Sequence, residues 1–261
     1  MSKAVKVCII SISTLVLILV LLLTLVFTIK DVKANLLITS ASNTLTNESV
    51  MTELKSQDVL PYNQSVFFLN RNKVTADIEK TIPKIKVVNL EITFPNAINI
   101  NYTERVPVFA VKISNSTYSY AIVDEDFKVI SLSMTDADYI NFSFTELQKN
   151  DESQLVKKEI SFDNLKAGDF MCHNYLKELK AFFSLLKQYK TTESALIKIY
   201  ENIEVYMRHT LESDHLSIKF KTIKGYNVDI YNFSNDTDRK VKQLLSIVSN
   251  SEITANQIIG D

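Results

Sequence analysis

The sequence predicts an α+β protein: a single N-terminal transmembrane helix, a small β-α-α-β-β domain, then a mixed β domain with helices packed on its sheet. Three observations predict it. Val7 to Ile29 carry no charged residue, which as helix is long enough for the roughly 20 residues that a bilayer core requires. Two helix-period segments follow, stopped by Pro61 and Pro83. Two strictly alternating stretches then flank Pro95-Asn96, the pattern of an antiparallel hairpin packed on one face only.

The apolar run is longer than a signal-peptide core and offers no small-residue cleavage site between Leu21 and Ile29, which favours an uncleaved anchor. Lys3 and Lys6 precede it and Lys30 and Lys33 follow it, so the positive-inside rule leaves the flanks nearly balanced. The short tail, residues 1–6, is expected to stay in the cytoplasm. Residues 7–29 would cross the membrane, and residues 30–104 and 105–261 would form two exported domains. No G-x-x-x-G signals a close helix dimer.

In the first exported domain, Asn35–Ser40 reads as a strand. Asn47–Leu60 reads as a helix with Val50, Met51 and Leu54 on one face and Asn47 as its cap. Val66–Leu69 is apolar and extended. A second helix starts at Asn70 or Asn72, with Val74, Ile78 and Ile82 at helical spacing. In the hairpin, Val88, Leu90, Ile92 and Phe94 alternate with polar residues, as do Ile98, Ile100 and Tyr102. Two helices on one face of a three-stranded sheet result.

Beyond Pro107, strands are expected at Val108–Ile113, Tyr120–Val123, Lys128–Leu132 and Phe142–Phe144. Asp124-Glu125-Asp126 reads as an acidic turn, and the charged Gln148–Glu159 as a loop. Cys172–Tyr189 is an amphipathic helix with Leu176, Leu179, Phe183 and Leu186 on one face. Ala195–Met207 fits either a strand or a helix. Leu216–Phe220 and Tyr226–Tyr231 form a hairpin around Lys224-Gly225. Asp236 caps a helix carrying Val241, Leu244, Leu245 and Val248, and Ile253–Asp261 begins a final strand.

Composition excludes several functions. The 29 basic and 30 acidic residues of the 261 give a net charge of −1, which argues against nucleic-acid binding through a basic face. Two Cys, three His and three Gly exclude a disulfide scaffold, a Cys-rich zinc module and a P-loop. Cys8 lies in the span and Cys172 in the exported part, so they do not pair within one chain. His173, His209 and His215 are scattered outside any catalytic motif, and the 124–126 acidic turn lacks the spacing and glycine of a calcium loop. No catalytic residue, metal ligand or cofactor is expected. N-x-S/T sequons at Asn47, Asn63, Asn101, Asn115, Asn141, Asn232 and Asn235 leave a second reading open, a viral or eukaryotic type II membrane glycoprotein.

The central segment carries a family pattern: Ile82-Pro83-Lys84-Ile85-Lys86-Val87, then Phe94-Pro95-Asn96, then Glu104-Arg105-Val106-Pro107-Val108, with Tyr120 to Asp124 beyond. It resembles the FtsQ/DivIB cell-division family. The resemblance implies a POTRA domain behind a single span, then a β domain, with Pro83, Pro95, Glu104, Arg105, Pro107 and Asp124 as family-motif residues. It implies a non-catalytic divisome scaffold in the cytoplasmic membrane, single-pass type II, at the septum, helping to control septal peptidoglycan synthesis. Its implied partners are membrane proteins of the FtsL and FtsB/DivIC type; no small-molecule substrate is implied. Where the family turns on glycine, this chain has none near Ser42 and Asn43, and the glycine of the D-x-x-G turn is replaced near Phe127. Ile259-Gly260-Asp261 resembles the start of the family's last, partner-binding strand. With that strand cut short, the 226–231 strand is expected to be the open edge, so Tyr226, Val228, Ile230, Ile258 and Ile259 are the expected partner-binding residues.

Overall fold

The structure, a computed structural model, describes residues 3–38, 44–136, 138–149, 155–172, 174–189, 196, 198–209 and 214–260. It divides into two compact units, Met1–Arg105 and Val106–Asp261.

The first unit opens with helix α1 (Lys3–Leu25). The expected span over 7–29 is therefore helical only to Leu25, and the chain turns at Val26 and Phe27. Among the described residues, no helix is long and apolar enough to cross a membrane.

Strand β1 (Asp31–Leu36), helices α2 (Asn47–Ser56) and α3 (Arg71–Thr81), and strands β2 (Ile85–Thr93) and β3 (Ala97–Glu104) follow. The sheet order is β1-β3-β2, parallel between β1 and β3 and antiparallel between β2 and β3. Val32, Ala34, Ile98, Ile100 and Tyr102 bury one sheet face together with Val50, Leu54, Val74 and Ile78 from the helices. The first strand lies earlier than expected; Thr39 to Asn43, including the glycine-poor turn at Ser42 and Asn43, lie outside the described residues. Thr46, not Asn47, caps α2, through a capping box with Ser49. Asn47 Oδ1 instead accepts from Leu36 N at 2.9 Å and the Tyr102 hydroxyl at 3.0 Å, fastening the helix start to the sheet. Asn70 caps α3 by accepting from Lys73 N. Val66 to Phe68 form a turn and a bend rather than an extended segment.

One pattern in the hairpin shifts. The pairing of β2 with β3 slips between Val87 and Asn89. A bulge puts two residues of one strand opposite one of the other, so Val87 and Leu90 both point inward while Val88 is 54% exposed.

The second unit comprises β4 (Phe109–Ser114), β5 (Tyr120–Val123), β6 (Val129–Ser133), β7 (Ile140–Lys149), β8 (Leu155–Glu159), β9 (Phe162–Asp163), α4 (Leu176–Gln188), β10 (Tyr200–His209), β11 (Asp214–Thr222), β12 (Asn227–Ile230), α5 (Thr237–Ser249) and β13 (Gln257–Ile259). The main path of the sheet runs β13-β12-β11-β10-β7-β4-β5-β6, with β8 on β7 and β9 on β4. Helix α4 lays Phe182 and Phe183 against sheet aromatics: Phe183 lies 5.1 Å from Phe109, and Phe182 5.9 Å from Phe220, centroid to centroid.

Three expectations change here. Residues 155–159 form β8, paired antiparallel with β7, rather than a loop; residues 150–154 lie outside the described residues. The ambiguous segment is a strand from Tyr200, with Ile203 and Val205 buried; Ala195 and Ile197 lie outside the described residues. Helix α4 starts at Leu176 rather than Cys172, and His173 lies outside the described residues.

Candidate partner-binding site

The motif residues of the first unit are fasteners. Arg105, just past β3, is buried; its Nη2 lies 2.9 Å from Glu79 Oε2 on α3, and its Nε donates to Ile85 O at 2.9 Å. Glu79 Oε1 accepts from Val87 N at 2.9 Å. One guanidinium thus ties the end of β3 to β2 and to α3. Glu104 points toward α2: its carboxylate accepts from Thr44 N at 2.8 Å and from the Thr44 hydroxyl at 2.6 Å, just ahead of the Thr46 cap. Pro83 follows the end of α3, Pro95 sits exposed in the β2–β3 turn, and Pro107 precedes β4.

Asp124 organises the turn from β5 to β6. Its Oδ1 accepts from Asp126 N at 3.0 Å and Lys128 N at 2.8 Å. Phe127 has φ +58° and is fully buried beside Phe109 and Phe142. The left-handed backbone costs about 1–2 kcal/mol for a residue with a Cβ; burying a phenyl ring returns more than that, about 3–5 kcal/mol by truncation. The turn adopts a left-handed conformation, the one glycine takes most readily, without a glycine.

The open edge is not where the sequence places it. Strand β12 pairs with β11 on one side and with β13 on the other, through Val228–Gln257, Asp229–Ile258 and Ile230–Ile259. The side chains of Tyr226, Val228 and Ile230 are buried, so they do not form a free edge. A three-residue strand is enough to cover β12, and it ends the sheet. Tyr231 N donates to Ile259 O at 3.0 Å, so Ile259 turns its peptide groups inward. Ile258, one residue earlier, turns its own toward the open side, because successive peptides in a strand alternate. Its side chain is 63% exposed, whereas Ile259 is buried. Beside this edge a groove of about 370 Å³ is lined by Ile258, Ile259 and Gly260 from the strand and by Arg239, Gln243, Ser246 and Ile247 from α5. Arg239 is held there by Asp236 Oδ2 at 2.6 Å and by Gly260 O at 3.2 Å. Asp236 sits at φ +51° and makes no cap bond of its own, contrary to expectation. Lys240 Nζ donates to Tyr231 O and Asn232 O, both at 2.9 Å, fixing α5 to the exit of β12.

The opposite edge, β6, is partly covered: Val129 N donates to Asp169 O, and Gly168 N to Val129 O. Glu79, Arg239 and Lys240 are the residues sequence reasoning missed. Glu79 directly follows Ile78 on the inward face of α3, and that adjacency was the available signal.

Two helices on one face of a β1-β3-β2 sheet define the first unit as a POTRA-type domain. Residues 34–105 match the POTRA domain of FtsQ type, which supports a protein of the FtsQ/DivIB family. No curated protein matches the chain.

Proposed function

We propose that the protein is a non-catalytic, membrane-anchored scaffold of the cell-division machinery. It binds membrane proteins of the FtsL and FtsB/DivIC type by adding a partner strand to β13 and helps control septal peptidoglycan synthesis. The FtsQ-type POTRA domain at residues 34–105 carries this reading. An outer strand flanked by a part-apolar groove is the arrangement for strand addition, in which main-chain bonds supply affinity and side-chain pockets specificity. An unpartnered edge is otherwise an aggregation hazard. The site residues under this reading are Ile258 and Ile259, with Arg239 and Ile247 on the facing helix.

Anchoring through residues 7–29 belongs to the same proposal. The sequence from Val7 to Ile29 is uncharged. Within α1, Ile10, Leu15 and Val16, on three different sides of the helix, are all exposed. A helix apolar all round needs an apolar surrounding, and lipid supplies it.

Proline at Ile258 tests the binding mode. It deletes an outward-facing N–H while leaving the bonds of Ile259 to β12 in place. The expected outcome is loss of the FtsB/DivIC-type partner from pulldowns of the full-length protein, with an unchanged circular-dichroism melt. Retained binding with an intact fold would rule out strand addition at this edge.

A further inference from the structure

Three separate segments meet where the chain leaves α1. Val66 N donates to Phe27 O, Ile29 N to Gln64 O and Lys30 N to Asn96 O, each at 2.9 Å. These bonds pin the loop between α2 and α3, and the turn between β2 and β3, to residues 27–30. Both loops carry phenylalanine there. The ring of Phe67 lies 5.0 Å from that of Phe27 and 6.0 Å from that of Phe94, centroid to centroid. The cluster is uncovered: Phe67 is 52%, Phe94 63% and neighbouring Phe68 83% exposed. Contiguous exposed apolar surface of this kind marks an interaction site.

The depth of the cluster identifies what covers it. The uncharged run ends at Ile29 and Lys30 is the first charge after it. With residues 7–29 as a membrane span, on which this inference rests, residues 27–30 lie at the boundary between acyl chains and headgroups. The loops bonded to them lie at the same level. Aromatic side chains concentrate at that boundary, and an apolar face partly sunk into it holds a peripheral element to the membrane. Lys30 can extend its ammonium to the headgroups from the same place.

We propose that Phe67, Phe68 and Phe94 form a lipid-docking patch that seats the POTRA domain on the surface of the bilayer crossed by α1. The patch converts a single-span tether into a fixed orientation of the domain relative to the membrane.

The chain has no tryptophan, so Phe68→Trp and Phe94→Trp each introduce one fluorophore. The full-length variants are reconstituted into phosphatidylcholine vesicles whose acyl chains are brominated either near the headgroup or near the chain end. Leu17→Trp, within α1, reports on the span. The expected result is blue-shifted emission from Trp at 68 and 94, loss of fluorescence with the shallow bromines, and protection from aqueous iodide. Leu17→Trp should lose fluorescence with the deep bromines. If Leu17→Trp is quenched by bromine while 68 and 94 respond only to iodide, the patch is wrong and the span stands. If Leu17→Trp ignores bromine, the span fails and the patch with it. Iodide protection without bromine quenching, rising with the protein-to-lipid ratio, would assign the patch to a second copy of the chain and overturn the proposal.

Discussion

Arg105 and Glu79 show how much one motif residue holds in place. Both are buried, and their shared bonds reach Ile85 O and Val87 N. Removing one member of such a pair leaves an uncompensated buried charge, at a cost of about 3–5 kcal/mol. Arg105→Ala is therefore expected to destabilise the POTRA domain by about that amount, read as a lower denaturant midpoint. The double variant Glu79→Leu/Arg105→Met should recover most of the loss, because an apolar pair of similar volume avoids the desolvation penalty. Glu204 on β10 behaves differently. Burial pushes its carboxyl upward, but hydrogen bonds from Lys157 and Thr145 and the charges of Lys157 and Lys219 outweigh burial and hold it below the usual 4.5. A carboxyl depressed on folding contributes stability that is fully present above its unfolded value and lost as pH falls through its folded one. Melts of the wild type and Glu204→Gln are expected to differ at neutral pH and to converge as pH falls through the depressed folded value of Glu204.

The elements divide by how their pattern reads. The β2–β3 hairpin was legible because a one-sided sheet enforces alternation. Its bulge was not, since Val88 is as apolar as the residues that point inward. Strand β8 reads as a loop because Lys157, Lys158 and Glu159 are polar; it forms through backbone pairing with β7 and the bond of Lys157 to Glu204. Strand β13 is too short to show a period, so the open edge was assigned one strand too early, at β12. The missed cap of α5 has a similar origin: Asp236 is the right residue type but spends its carboxylate on Arg239. The turn from β5 to β6 yields a prediction at this scale. Phe127→Gly removes the left-handed strain, about 1–2 kcal/mol, but also the buried ring, about 3–5 kcal/mol. The expected result is a net loss of stability in the second unit, measured by denaturant unfolding, although the backbone strain has been relieved. A gain would mean that the aromatic cluster around Phe109 and Phe142 closes without it.

At the scale of the whole molecule, the proposed function rests on two exposed surfaces. They are, among the described residues, an outer strand beside a groove and an aromatic cluster where the chain leaves α1. The charge pattern agrees with such a division: Lys3 and Lys6 before the uncharged run, and a net −3 after it within the overall −1. The proposed scaffold would act where its partners assemble, so its location and the consequence of losing it are one question. Depletion in the native host, combined with imaging of a fluorescent fusion to the full chain, tests the central claim most directly. The account predicts a septal band of the fusion and filamentous cells that cease to divide on depletion. Normal division after depletion, with the fusion spread evenly and absent from the septum, would contradict it.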